Sequence, residues 1–348
     1  YENRDDISPY SRTSCLFKSN WPIKPDVLFE GGNKAVYPNH DICKCDALEP
    51  VVCASNFSDG ILFTTLNATS ASTGLSGNFI GELISLYPNL WPETIRGLVV
   101  HSAEWSETMW QKLPDKKKTT INFYSHIFGY GIPSLEKAKY SASNNLTIIM
   151  QKDNFQPFIL KNRKKVSSIL FIKLPWPKEV LSGVLGNKEI TLTITLSYFI
   201  EPNPSERGYT NKYAYQSHNL RFDLQTPTET REQFEKRINK LIQTEENNSN
   251  DNGSNVDRHS WIYGANARTH GSIHKDILKI PGAKLASIEY LAIYSVAGWW
   301  KNKKIELLNE RRSRFSVIVG IDAGDVDIDL YNEIKNVINV PITIENTI

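Results

Sequence analysis

The stretch Leu66-Asn67-Ala68-Thr69-Ser70-Ala71-Ser72-Thr73-Gly74-Leu75-Ser76 runs straight into an apolar periodicity. Leu75, Phe79, Ile80, Leu83, Ile84 and Tyr87 recur at helical spacing. The reading is a turn that feeds a helix over 70–87, ended by Pro88-Asn89. Ala71, Gly74, Gly77 and Gly81 crowd its first half, which lets a neighbouring backbone approach closely. Ser70 stands at the mouth of that helix, where unpaired backbone N–H groups and the helix dipole favour developing negative charge. An acyl-transfer nucleophile needs that setting, because the tetrahedral oxyanion must meet donors already in place. Taken alone, a Thr-Ser-Ala-Ser run signals no more than a helix cap.

Downstream, Trp91-Pro92-Glu93 opens a second helix that carries Ile95, Leu98 and Val99 to Ser102-Ala103. After the polar Asp115-Lys116-Lys117-Lys118, the run Gly129-Tyr130-Gly131-Ile132-Pro133-Ser134-Leu135 reads as a turn and a short helix to Tyr140. From Leu146 the texture changes to alternating or β-branched runs. They are Thr147–Met150, Ser168–Ile172, Ile190–Leu196, Leu220–Leu224, Tyr290–Tyr294 and Phe315–Ile321, divided by Pro, Gly and Asn turns. That pattern predicts an all-β, jelly-roll-like sandwich over 146–348. A helix at about 228–246 interrupts it, and the low-complexity Asn247–Asn255 reads as a surface loop, an insertion reaching about 256. The aromatic-rich Ser197–Pro204 and Gly298-Trp299-Trp300 read as turns packing a sandwich edge, with a partner-facing patch as the alternative. Upstream, Val51-Val52-Cys53-Ala54 and Gly60-Ile61-Leu62-Phe63 suit short buried strands.

The 348 residues suffice for two domains of ordinary size, 1–142 and 146–348. At 40% apolar, 22% charged and a net charge of +2, the composition is globular and carries no basic excess for nucleic acid. No apolar run is long enough to cross a bilayer, so no membrane association is expected. The chain begins at Tyr1, and Tyr1–Asp6 is no signal peptide, so it reads as a piece of a longer polypeptide. All four cysteines (Cys15, Cys43, Cys45, Cys53) fall by residue 53, which does not resemble a disulfide-stapled secreted chain, and the expected location is cytoplasmic. His40, Cys43, Cys45 and Cys53 are zinc candidates, but C-x-C lacks the paired C-x-x-C spacing, and plain loop cysteines are the simpler reading. Asp325, Asp327 and Asp329 alternate on one strand face: calcium ligands on one reading, edge charges that block sheet pairing on the other.

Residues 66–103 resemble the nucleophile region of the subtilisin-like serine peptidases. That family's Asn-Gly-Thr-Ser-x-Ala-x-Pro appears here as Asn67-Ala68-Thr69-Ser70-Ala71-Ser72-Thr73-Gly74, followed by its long central helix and its Tyr-Pro-x-Leu-x-Pro helix at Tyr87–Leu98. Ser8-Pro9-Tyr10-Ser11 and Ile23-Lys24-Pro25-Asp26-Val27 resemble segments that precede the nucleophile, and Gly129-Tyr130-Gly131 resembles the closing Gly-x-Gly. Ala68 and Gly74 replace the motif's Gly and Pro. Ala68 is a tolerable replacement provided the turn does not need a positive φ there.

The resemblance implies that 1–142 is the second half of an α/β, parallel-sheet catalytic domain. It implies Ser70 as nucleophile, its N–H as one oxyanion donor, and Thr69 as turn support. The family's Asp, His and oxyanion Asn precede the nucleophile in chain order, so an upstream part of the same polypeptide is expected to supply them. None of the chain's own histidines falls in that place, and without a base a serine is a weak nucleophile. The chain alone is therefore expected to be inactive, and no cofactor is required. The general pattern resembles bacterial intracellular subtilases paired with an AAA-type ATPase, which makes such an ATPase a candidate partner beside a peptide substrate. Two rivals stand beside this reading: a non-catalytic binding module from a truncated subtilase, and a sedolisin-type serine-carboxyl peptidase.

Overall fold

A computed structural model describes residues 6–16, 21–53, 60–139, 145–161, 164–205, 213–247, 257–302, 310–324 and 344–347. The chain divides into two compact units. The first comprises Tyr1–Phe17, Ile23–Leu90 and Ser102–Lys139, the second Lys18–Pro22, Trp91–His101 and Tyr140–Ile348.

In the first unit β1 (Lys34–Val36) pairs with β2 (Ile42–Lys44), and β3 (Val51–Cys53) with β4 (Phe63–Thr65), both antiparallel. Helix α1 (Ala68–Leu86) follows; α2 (Pro92–Ser102) groups, up to His101, with the second unit. The first unit then resumes with α3 (Glu107–Gln111), α4 (Lys118–Phe128) and α5 (Leu135–Ala138). Side chains of Ser106 and Ser134 cap α3 and α5 by accepting from Met109 N and Lys137 N. Trp105, Met109, Ile121 and Phe128 are buried, and the Trp105 ring lies 4.8 Å from Trp110 and 5.5 Å from Phe128.

The β3–β4 ribbon is not the pair of buried strands that the runs at 51–54 and 60–63 suggest. Val51 is 70% exposed and Phe63 64%, because among the described residues a two-stranded ribbon here has no second layer to bury it. Helix α1 is similarly bare: of its apolar stripe Phe79 and Leu83 are buried, while Leu75 and Ile84 lie exposed. The polar start of α4 hides a helix that the sequence reading does not assign.

The second unit holds β5 (Asn145–Phe155), β6 (Phe158–Lys161), β7 (Lys164–Ser167), β8 (Ile169–Lys173), β9 (Glu189–Tyr198) and β10 (Asn219–Leu224). It continues with α6 (Arg231–Asn247), β11 (Ile273–Pro281), α7 (Gly282–Ala286), β12 (Tyr290–Val296), β13 (Ser313–Asp322) and β14 (Ile344–Thr347). Two four-stranded sheets run in the orders β10-β12-β8-β14 and β11-β9-β13-β5. Every strand pairing among the described residues is antiparallel, so the expected parallel sheet is not among them. One apolar core joins both sheets: Leu170, Phe222 and Ile293 from the first, Leu192, Ile194, Leu196 and Val319 from the second.

The strand sequence Ile190-Thr191-Leu192-Thr193-Ile194-Thr195-Leu196-Ser197 shows how each sheet serves two layers. Its aliphatic residues point to the shared core and its hydroxyls to the opposite face. On that opposite face sits α2. His101 Nδ1 lies 2.9 Å from Thr195 Oγ1, while Trp91 N and Thr94 Oγ1 donate to Gln151 Oε1 at 2.9 and 2.7 Å. Buried Lys275 donates to the carbonyls of Val100 and His101 at 3.2 and 3.0 Å, which satisfies the end of α2. A Cβ at Gly97 would stand 2.8 Å from Ile318 Cδ1, and one at Gly320 2.5 Å from His101 Nε2. The outer face of the other sheet is covered by α6, whose Phe234, Ile238 and Ile242 pack on Phe171, Ala292 and Tyr294. Ser313 and Arg314 begin β13, where Arg314 Nε donates to buried Glu93 Oε1 at 2.8 Å. No described helix is long and apolar enough to cross a membrane.

Candidate active site

Ser70 is the third residue of α1 and its side chain is exposed; Thr69 beside it is exposed as well, and its carbonyl accepts from Thr73 Oγ1 at 2.7 Å. The turn that delivers them is fastened by three backbone strips. Asn33 N donates to Leu48 O at 2.8 Å, Leu66 N to Pro50 O at 3.0 Å, and Ala68 N to Gly31 O at 2.8 Å. Ser72 Oγ, one turn into the helix register, bonds the carbonyls of Phe29 and Glu30 at 3.1 and 3.0 Å. Ser8 Oγ donates to Gly32 O at 2.6 Å. Leu28 N donates to Gly131 O at 2.9 Å and Tyr130 N to Asp26 O at 2.8 Å. The segments at Ser8–Ser11, Ile23–Val27, Asn67–Gly74 and Gly129–Gly131, far apart in sequence, thus belong to one hydrogen-bonded scaffold.

Two features of the turn bear on chemistry. Ala68 has φ +65°, so the turn does need the left-handed conformation at this position. A non-glycine residue is held there at a cost of roughly 1–2 kcal/mol. Asn67, at the N-cap position, makes no capping hydrogen bond. Its Nδ2 donates instead to Glu49 Oε1 at 2.7 Å. Glu49 is buried, with Tyr10 OH 3.4 Å from Oε1 and Lys44 Nζ 3.4 Å from Oε2. Burial pushes its carboxyl upward, but hydrogen bonds from Asn67, Thr65 and Lys44 outweigh that and hold it below the usual range. Glu49 escaped the sequence reading because nothing in Asp46-Ala47-Leu48-Glu49-Pro50 has a motif's spacing.

No hydrogen bond of the Ser70 side chain is present among the described residues, and six of the histidines have partners elsewhere. His126 Nδ1 lies 2.7 Å from Ser14 Oγ, and His40 sits exposed in the β1–β2 turn with φ +67°. His101 meets Thr195, His218 meets Ser217 and Ser313, and His259 meets Leu224 O. His270 lies beside Thr269, and His274 beside Tyr198. Burial lowers His101 and His218 to about 3, with the Lys275 charge adding to the first.

His40, Cys43, Cys45 and Cys53 do not come together as a metal centre. No group of three or more His, Cys, Asp or Glu that could hold a metal exists among the described residues. The four cysteines are free thiols. Asp325, Asp327 and Asp329 lie outside the described residues. At the start of that segment Asp322 Oδ1 accepts from Gly324 N at 2.8 Å, a local turn.

An exposed serine on the first turn of a helix, its turn held in the left-handed region, is the arrangement to set beside known proteins. Residues 1–131 match the Subtilase family model (Peptidase S8). The match to the subtilases takes in the Ser8 and Ile23–Val27 segments, the Ser70 turn, both helices after it and the closing Gly129-Tyr130-Gly131. It supports a subtilisin-like serine peptidase in general. No curated protein matches the chain.

Proposed function

We propose that Ser70 is the acylating nucleophile of a subtilisin-like serine endopeptidase that acts on peptide bonds. The observation that carries the reading is the uncapped first turn of α1, with Ser70 exposed on it, inside the stretch that matches the subtilases. Ser70 Oγ attacks the scissile carbonyl, and the oxyanion that forms is received by the Ser70 N–H at the positive end of the helix. The proton of Ser70 needs a base, and no histidine bonds the Ser70 side chain among the described residues. A further segment of the same polypeptide, carrying Asp, His and a second oxyanion donor, therefore completes the site. Leu75, Ile84 and Leu86 of α1, with Ile61, Leu62 and Phe63 beside β4, are the exposed apolar residues that segment would cover. The second unit, with its two antiparallel sheets, is read as an appended β-sandwich.

A fluorophosphonate probe tests the assignment. The full polypeptide should be labelled at Ser70, and Ser70→Ala should abolish labelling. The 348-residue chain alone should label at least 1000-fold more slowly, on the order of the loss when a serine nucleophile is deprived of its base. Labelling that persists in Ser70→Ala overturns the assignment. Equal labelling of the chain alone overturns the need for a completing segment.

A further inference from the structure

We infer that a basic face of the second unit binds a short acidic stretch of a protein partner. The face is built from the β6–β7 hairpin, the turn Trp299–Asn302 and Arg311-Arg312 before β13. The inference stands apart from the assignment of Ser70. From Asn154 to Lys178 the sequence holds six cations and no acid. Lys161, Lys164 and Lys165 of that run fall on the hairpin, where Lys161 and Lys164 occupy opposite register positions and Lys165 pairs with Leu160.

The fold brings a second basic segment to this hairpin from far along the chain. Phe158 of β6 packs with Trp299 and Trp300, and Ser295 Oγ of β12 donates to the carbonyl of Pro157. Lys301 Nζ stands 5.9 Å over the Phe158 ring, and the Arg311 guanidinium 5.4 Å over Trp300. The indoles beneath are held in place. Trp299 Nε1 donates to Glu201 O and Trp300 Nε1 to Glu201 Oε2, both at 3.0 Å, and His218 stacks on Trp300 with centroids 4.9 Å apart. Gly298 permits this close approach, since a Cβ there would stand 2.4 Å from Ser217 O. A cation whose stem lies on a packed ring loses less freedom on binding than one on a loose stem.

Arg312 is exposed, and Lys165, Lys301 and Arg311 are half-buried. The acids of this face are Glu310 and Glu201, and Glu201 Oε2 already accepts from Trp300 and Arg311 at 3.0 Å each. The face is thus locally positive in a chain whose 40 cations and 38 acids nearly cancel. That limits the ligand. A nucleic-acid duplex or an anionic bilayer extends past the patch and meets a surface with no basic excess. Unpaired bases need exposed rings to stack on, whereas Trp299 and Trp300 are buried. A run of Asp and Glu side chains matches the patch in size and in sign.

The test is the fluorescence anisotropy of a labelled peptide of alternating Glu and Ser, titrated with the 348-residue chain. Lys164→Glu with Lys165→Glu should weaken binding about ten-fold, the order expected when two cations beside bound carboxylates are reversed. Lys301→Glu with Arg312→Glu, on the other segment, should weaken it about as much, so one pair decides if the other fails to fold. Lys116→Glu with Lys117→Glu makes the same charge change in the first unit and should leave the affinity within about two-fold. No binding of the peptide overturns the inference, and so does an equal loss in the Lys116 and Lys117 control. Tighter binding of a DNA duplex, or of phosphatidylserine vesicles, than of the peptide overturns the choice of a polypeptide partner.

Discussion

Helices α1 and α2 are neighbours in sequence with opposite surroundings, and the glycines inside them measure the contrast. At Gly74, Gly77 and Gly81 of α1 an added Cβ would meet nothing within 4 Å, whereas at Gly97 of α2 it would stand 2.8 Å from Ile318 Cδ1. The glycines of α1 therefore have no packing reason within the described residues, while Gly97 has one. A helix pays in conformational entropy for each internal glycine, and α1 carries three without return in this chain. The comparison teaches that α2 has found its layer on the β11-β9-β13-β5 sheet, whereas α1 meets no such layer at its glycines among the described residues.

The largest effect expected is acid sensitivity, strongest in the second unit. His101, His218 and His274 are buried there with their pKa values pushed far down, by burial first and then by Lys275 at His101 and Arg221 at His274. A lowered histidine pKa means that the unfolded chain takes up a proton below pH ~6.5 which the folded chain refuses, so stability falls as pH falls. Asp276 opposes this. Burial raises it to about 6, so between pH ~6 and ~4 the folded form holds a proton the unfolded form lacks. His259, lowered chiefly by burial, and the carboxylates Glu229, Glu232 and Glu289, held low by hydrogen bonds and nearby cations, act in the same direction as the three histidines. Together they outweigh Asp276, so stability of the second unit falls as pH drops below about 6. The second unit should unfold in acid, followed by circular dichroism or tryptophan fluorescence, and His101→Gln should make the fall shallower. A stability that stays flat from pH 7 to pH 4.5 would break the account. In the first unit the half-buried His126 is lowered by burial alone, so that unit's acid response should be weaker.

The contrast sharpens with one substitution made at two sites. Gly97→Leu should destabilise the second unit by about 1–3 kcal/mol, because a full side chain must enter packed space. Gly77→Leu should stabilise α1 by up to ~1 kcal/mol through helix propensity alone. Urea denaturation of the chain reads both. Under the proposed function, in which a further segment covers α1, Gly77→Leu should reverse sign in the longer polypeptide and weaken association with that segment. If Gly77→Leu is harmless to association as well, α1 has no covering layer at its glycines.

How much of this was legible in the chain follows physical lines. The helices α1, α2 and α6 and the strands β5, β9, β10 and β13 show an apolar period, and β8 and β12 show as short continuous apolar runs because both of their faces are buried. Strand β11 did not show, since His274, Lys275 and Asp276 stand consecutively and read as polar surface, yet all three are buried. Their burial depends on partners elsewhere: Lys275 on the end of α2, Asp276 on Tyr263 N, Gly264 N and Arg268. No local window contains that information. At the site, Ser70 was legible because a hydroxyl at a helix mouth is a local pattern. Glu49 was not, because its meaning lies in reaching Asn67 across eighteen residues. The short apolar runs at 51–54 and 60–63 suggested burial that the ribbons do not have, since hydrophobicity says what a residue seeks and not what lies beside it.

The smallest effect concerns the residue at which the Ser70 turn departs from the motif it resembles. Ala68 sits at φ +65°, where a Cβ crowds the backbone and glycine does not. Ala68→Gly should relieve roughly 1–2 kcal/mol of strain while giving the unfolded chain extra freedom worth about 0.5–1 kcal/mol. The net is a gain of up to ~1.5 kcal/mol. Ala68→Val should lose more than that, since a β-branched residue fits the left-handed region worse than alanine. Measured by urea denaturation of the first unit, the order Gly above Ala above Val follows only if the turn is held left-handed in solution. The reverse order, Ala above Gly by the ordinary helix preference of about 1 kcal/mol, would mean that residue 68 is simply the first residue of a regular helix. The comparison between α1 and α2 would survive that result, but the turn that lifts Ser70 to the surface would then need another cause.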